Sequence, residues 1–170
     1  MIRKAEPQER GKLTEISFAS KKYWDYPSEY FTVWQSELTI TEDYVKDNNV
    51  YVYERDSLII AYYSIIKLIN NCRVGEINFV AGLWLDHMFV LPQFMGESIG
   101  TKMFSHCVSI CPILAKQHLP AFLHILADPN AVDFYIKLGC TFIGEYPSSI
   151  HGRTTPYLQY NFNKTGENPA

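Results

Sequence analysis

Between Leu83 and Leu114 the sequence passes from a strand pattern, through a proline and two glycines, into a long helix with one apolar face. Few folds accommodate that succession. Leu83-Trp84-Leu85-Asp86-His87-Met88-Phe89-Val90 reads as a strand that stops at Leu91-Pro92, because proline cannot donate to a central ladder. Beyond Gly96, residues Ile99, Met103, Cys107, Val108, Cys111 and Leu114 recur at helical intervals, so this helix buries a single face. Ala121 to Leu126 is then a short apolar run, suited to a strand buried on both faces.

The flanking segments complete an α/β pattern. A strand is expected at Ile2 to Ala5, and a helix from Glu6 to about Lys22 with Leu13 and Ile16 on its buried side. A second helix follows from the aromatic stretch Tyr23 to Phe31, with Pro27 in its first turn, and a short third one lies within Thr39 to Lys46. From Val50 the period changes: Val50 to Tyr53 and Leu58 to Ile66 are β-branched and aromatic, separated by the turn residues Glu54 to Ser57, and read as a hairpin. Asn70 to Ala81 is read as a loop belonging partly to the strand after it. Asp128 and Pro129 open another helix that ends at Gly139, and strands at Thr141 to Ile143 and Tyr157 to Phe162 close the pattern. Lys164 to Ala170 reads as a polar, frayed tail. The sum is a mixed sheet with helices on both faces.

At 170 residues, with no linker, the chain is expected to be one domain over residues 1–163. The net charge of −3 lacks the basic face that phosphate neutralisation requires, so nucleic acid is not an expected partner. No run approaches the ~20 apolar residues of a membrane span, and Met1 to Pro7 lacks the apolar centre of a secretory signal, so a cytoplasmic location without membrane contact is expected. The four cysteines show no Cys-x-x-Cys spacing and read as free thiols. The sequon Asn163-Lys164-Thr165 is then a chance match. Cys107 and Cys111, with His106 nearby, have the spacing to hold a metal but share the apolar helix face, and no metal is expected.

The segment Val90 to Gly100 joins a strand end to a helix start. Such a junction presents unpaired N–H groups at the positive end of a helix and can cradle a pyrophosphate, although by itself it also fits a simple capped turn. Gln93-x-x-Gly96-x-Ser98, with Gly100 two residues on, resembles the acyl-CoA loop of the GNAT superfamily of N-acetyltransferases, usually Gln/Arg-x-x-Gly-x-Gly/Ala. Asn130-Ala131-Val132-Asp133-Phe134-Tyr135-Ile136-Lys137-Leu138-Gly139 is similar to that superfamily's Asn-Ala-x-x-Phe-Tyr-x-Lys-x-Gly segment, and Gly152 to Tyr157 to its closing loop and strand. The departures are Ser98, where glycine or alanine is usual, and Cys140-Thr141 before Phe142. Serine still offers its backbone N–H, so CoA binding is expected to survive.

The resemblance implies a mostly antiparallel sheet of six or seven strands, splayed between the fourth and fifth. It also implies acetyl-CoA as co-substrate, held by the loop Gln93, Phe94, Met95, Gly96, Glu97, Ser98, Ile99 and Gly100, by backbone groups of Met88, Phe89 and Val90 on the thioester arm, and by Asn130 and Tyr135. Tyr135 is implied as the acid that protonates the departing thiolate, or, read from the residues alone, as a core aromatic. For the base, Asp86 and His87 point to opposite faces of a strand, and Asp86 is preferred. Tyr23 and the aromatic set Trp24, Tyr26, Tyr30 and Trp34 occupy the region where relatives bind the acceptor, and such rings can hold a cationic amine or simply pack. The expected activity is acetyl transfer to a primary amine of a small molecule. A catalytically degenerate acyl-CoA sensor and a protein or peptide N-acetyltransferase are the alternatives, and a homodimer, common among relatives, stays open.

Overall fold

In the computed structural model, which describes residues 1–116 and 119–163, the strand read around Leu83 is the middle strand of a seven-stranded sheet. The elements in chain order are β1 (Ile2–Lys4), α1 (Arg10–Lys22), α2 (Ser28–Leu38), α3 (Glu42–Asp47), β2 (Asn49–Arg55), β3 (Leu58–Leu68), β4 (Cys72–Val74), β5 (Ile77–Phe79), β6 (Gly82–Val90), α4 (Ile99–Ala115), β7 (Phe122–Leu126), α5 (Val132–Lys137), β8 (Thr141–Pro147) and β9 (Thr154–Asn161). The sheet order is β1-β2-β3-β6-β7-β9-β8. The β6–β7 pair is parallel, whereas β1–β2, β2–β3, β7–β9 and β8–β9 are antiparallel. This is the mixed, mostly antiparallel α/β architecture expected from the sequence. Pairing of β6 with β7 covers only Leu83↔Leu123, Trp84↔His124 and Leu85↔Ile125, while β6 continues to Val90. The ladder between the sheet's fourth and fifth strands therefore ends halfway along β6.

The chain divides into two compact units. The first comprises Met1–Ile65 and His87–Ser105. In it β2 and β3 are closed by Asp56 and Ser57, whose φ values of 50° and 62° are those of a two-residue turn with both central residues left-handed. The register shifts after Tyr53, which pairs with Ala61 while Glu54 pairs with Ile59, so Ile60 bulges from the ladder. Its carbonyl accepts a hydrogen bond from Leu91 N–H at 2.9 Å. Helix α1 buries Leu13, Ile16, Ser17 and Ser20, one helical face. Both buried hydroxyls are satisfied: Ser17 Oγ shares a 2.5 Å hydrogen bond with Tyr62 OH, and Ser20 Oγ donates to the Val90 carbonyl at 2.6 Å. Pro27 sits at the N-cap of α2, not within its first turn.

The second unit comprises Ile66–Asp86 and the described residues from His106 on. Asn70 to Ala81 does not lead into β6; it forms its own hairpin, β4–β5, turned at Gly75 with φ 59°. Gly82, at φ 149°, then separates that hairpin from the strand. Strand β8 runs past Ile143 to Pro147: the register shifts between Phe142 and Gly144, so Ile143 bulges and Gly144 pairs with Tyr157. Strand β9 begins at Thr154, and Pro156 is tolerated because pairing with β7 starts only at Tyr157.

Trp84, His124 and Gln159 stand side by side across this unit's strands. The His124 ring, only 3% exposed, stacks on Trp84 with centroids 4.7 Å apart. Its Nδ1 lies 2.6 Å from Tyr157 OH, which also accepts from Gln159 Nε2 at 2.7 Å. Its Nε2 is buried without a hydrogen-bond partner among the described residues, and a Cβ on Gly82 would lie 2.9 Å from it. Burial lowers the His124 pKa to about 4, so the ring is neutral. No helix of the described residues is long and apolar enough to cross a membrane. The tail at 164–170, with part of the sequon, lies outside the described residues.

Candidate functional site

In the first unit, β6 ends at Val90, a 3-10 turn covers Pro92–Phe94, and Gly96, Glu97 and Ser98 lead into α4, a helix of 17 residues. Gly96 (φ 84°) and Ser98 (φ 60°) both adopt left-handed backbone, and Ser98 O accepts from Lys102 N–H at 3.1 Å as the helix begins. Left-handed residues in such a loop turn N–H groups toward a common concavity, here at the positive end of the helix dipole. Gln93, Gly96, Glu97 and Ser98 are exposed, and nothing lies within 4 Å of a Cβ built on Gly96. The loop is thus exposed and uncrowded where its backbone turns left-handed.

The left-handed φ also explains why glycine is usual at the position of Ser98. A non-glycine residue there carries about 1 kcal/mol of strain, roughly what glycine costs in unfolded-chain entropy. Ser98→Gly should therefore leave the unfolding free energy within about 0.5 kcal/mol of the parent in urea denaturation. A larger loss would assign the hydroxyl a structural bond of its own.

Met88, Phe89 and Val90 are half-buried at the end of β6. Val90 already has its carbonyl engaged by Ser20, and the next N–H, that of Leu91, is bonded to Ile60. The strand end is thereby fixed on both sides immediately before the loop. Glu97 in the loop forms an ion pair with Arg55, Nη1 to Oε2 at 2.7 Å, and the Arg55 guanidinium also lies 5.5 Å from the Phe94 ring centroid. Neither Ser20 nor Arg55 carries a sequence signal, since Ser20 reaches Val90 from helix α1 and Arg55 reaches Glu97 from the end of β2, each across a long sequence separation.

His87 turns into the first unit. Its Nε2 lies 3.1 Å from the Glu37 carbonyl and so donates; its Nδ1, 3.2 Å from Tyr44 OH and 3.3 Å from Ser64 Oγ, accepts. Tyr26, Tyr30 and Trp34 come together, with ring centroids 5.2 to 6.2 Å apart. Trp24 is not among them; it packs edge-on against Tyr23, and both are exposed. A cation already covers the cluster, the Lys21 ammonium, at 4.6 Å from the Trp34 centroid and 5.5 Å from that of Tyr26.

In the second unit, Asp86 is exposed on β6. Asp128 Oδ1 accepts from both the backbone N–H and the side-chain Nδ2 of the exposed Asn130, at 3.0 Å each, which caps the turn leading into α5. Tyr135 on α5 is 6% exposed, with Phe134 edge-on to it at 5.1 Å. Burial is the main cause holding its phenol pKa above the ordinary value, with Cys107, Cys140 and Asp128 adding to it. Burial likewise pushes the Cys140 thiol up to about 12 and raises that of Cys107. Cys111 Sγ donates to the Cys107 carbonyl at 3.2 Å, and both side chains are fully buried in the core.

Residues 46–139 match the model of the acetyltransferase (GNAT) domain. None of the curated proteins compared with the chain is a significant sequence match. Among solved structures, a GCN5-related N-acetyltransferase from Rhodopseudomonas palustris superposes with a TM-score of 0.72 at 17% identity, covering 95% of this chain and 94% of its own. The PaiA N-acetyltransferase of Thermoplasma acidophilum, in complex with coenzyme A, gives 0.69 at 15% identity over 95% and 98%. The ribosomal-protein-S18-alanine N-acetyltransferase of Escherichia coli gives 0.62 at 14% identity over 100% and 98%. At these identities the likeness is one of fold.

Proposed function

Because the chain belongs to the GNAT acetyltransferase family, we propose that it transfers the acetyl group of acetyl-CoA to a primary amine of a small molecule by direct attack on the thioester. The observation that carries this reading is the open loop at Gly96 to Ser98, with left-handed backbone at both ends and a long helix behind it. A pyrophosphate fits that site: it needs several N–H donors, close backbone approach and a helix N-terminus. The donor supplies an activated acyl carbon. The acceptor nitrogen forms the new C–N bond as the C–S bond breaks, the nitrogen sheds a proton, and the sulfur takes one up.

In this reading Tyr135 supplies the proton to the sulfur. Its raised pKa keeps the phenol protonated at neutral pH. Low-dielectric surroundings raise the pKa of a nearby thiolate for the same reason, so proton transfer between the two stays closer to balance than bulk values imply. Asp86, exposed on β6, takes the amine proton directly or through water, whereas both nitrogens of His87 are already engaged. Asn130, Met88, Phe89, Val90 and the loop residues hold the donor.

A second reading, a protein amine as acceptor, is favoured by one observation: Lys21 covers the rings Tyr26 and Trp34, the surface a small cationic amine would use. The test is calorimetry with acetyl-CoA, followed by thiol release against small amines and peptide amines. Saturable binding with release by small amines supports the proposal. Release only with peptides moves the acceptor to a protein, and binding without release on any acceptor favours a sensor. Tyr135→Phe is expected to keep acetyl-CoA affinity within about twofold while turnover falls by about a hundredfold, the scale of a lost general acid. An unchanged turnover would give the proton to water.

A further inference from the structure

We propose that Arg55 is a positioning residue that sets the loop's affinity for a phosphate-bearing ligand by neutralising and holding the Glu97 carboxylate; this rests on the cofactor reading above. Glu97 is an acidic side chain placed between the two left-handed residues of the loop, where a pyrophosphate would meet it as a like charge. Glu97 is nonetheless compatible with such a ligand because it is not alone. Arg55 is the last residue of β2, directly before the tight turn at Asp56 and Ser57, so the hairpin aims its side chain. The guanidinium is located by its 2.7 Å bond to Glu97 Oε2, by the face of Phe94 at 5.5 Å, and by a side-chain hydrogen bond with Tyr53.

A guanidinium held by the Glu97 carboxylate beside the Phe94 ring is partly pre-organised when an anion arrives. Removing it leaves the carboxylate unpaired and free to swing over the N–H groups of the loop, where it competes with phosphate for the same donors. The partners are partly exposed, at 36% and 46%, so the ion pair itself adds little to folding stability. Its effect falls on the charge that an incoming polyanion meets.

The test is calorimetry of CoA on the intact chain for the parent, Arg55→Ala, Glu97→Gln and the double variant at low salt, with pantetheine, which lacks phosphates, as the control ligand. Arg55→Ala should weaken CoA about tenfold, the scale of one unscreened charge near the site, and Glu97→Gln alone should leave CoA binding as tight as in the parent or tighter. The double variant should return to within about threefold of the parent, and raising the salt to about 0.5 M should remove most of the Arg55→Ala loss. Pantetheine should bind all four proteins alike. A double variant no better than Arg55→Ala would overturn the proposal, because Arg55 would then contact phosphate itself. Loss of pantetheine binding in Arg55→Ala would also overturn it, by showing a general distortion of the site. If the parent binds CoA but Arg55→Ala binds equally well, only this inference falls; if the parent fails to bind CoA, the cofactor reading falls with it.

Discussion

Gly96→Glu is expected to abolish measurable acetyl-CoA binding, with Kd rising more than about a hundredfold while the chain stays folded. Two effects add. Gly96 has φ 84°, and any side chain there carries about 1 to 2 kcal/mol of left-handed strain, which pulls the loop away from its ligand-ready shape. The space around its Cβ is open, so the new carboxylate projects, without a steric penalty, into the space where the proposed function puts the pyrophosphate. There it repels the ligand and takes up the N–H donors itself. Calorimetry with acetyl-CoA, alongside a thermal melt to confirm folding, checks this. Unchanged affinity in a folded variant would remove the loop assignment.

Acid should destabilise the protein through His124. The folded ring has a pKa near 4, lowered by burial from an ordinary value near 6.5. The unfolded chain therefore takes up the proton first, and the stability that comes from keeping the ring neutral is complete above pH 6.5 and is lost as pH falls toward 4. From pH 7 to pH 4.5 the linkage amounts to about 2.5 kcal/mol. Urea denaturation at the two pH values should show it, and His124→Phe, which keeps the stack on Trp84, should remove most of that decline while lowering stability at pH 7 only modestly. Tyr157 OH retains Gln159 as a donor in that variant. A variant that keeps the full decline would locate the acid response in the carboxylates instead.

The geometry of the loop is legible in the sequence because it is set locally. A proline that ends a strand, a glycine that must turn left-handed and a one-faced helix all lie within a few residues of each other. The hairpin β4–β5 is not legible in the sequence, because strands of three residues are too short to display alternation. The ends of β8 and β9 were misjudged for a related reason. The sequence places β8 at Thr141 to Ile143 and β9 from Tyr157, and only the register of the two strands shows that a bulge at Ile143 and the pairing of Thr154 to Pro156 with β8 alone extend them. Ser20, Arg55 and His124 were beyond reach: each matters through a partner 33 to 70 residues away, and a single sequence records no such pairing. The aromatic segment showed that rings would cluster, but not that Lys21 would be the cation resting on them.

The hairpin of β2 and β3 touches the glycine loop at both ends: Ile60 holds Leu91 where the loop departs, and Arg55 grips Glu97 where it turns into α4. A two-residue surface turn is ordinarily where a chain tolerates lengthening, tagging or permutation best. Here the turn sets the spacing of a calliper whose jaws are Arg55 and Ile60. Lengthening it would alter the loop's shape without changing a residue of the loop, so, on the proposed reading, sequence drift in this turn retunes donor binding while the loop's own sequence stays the same.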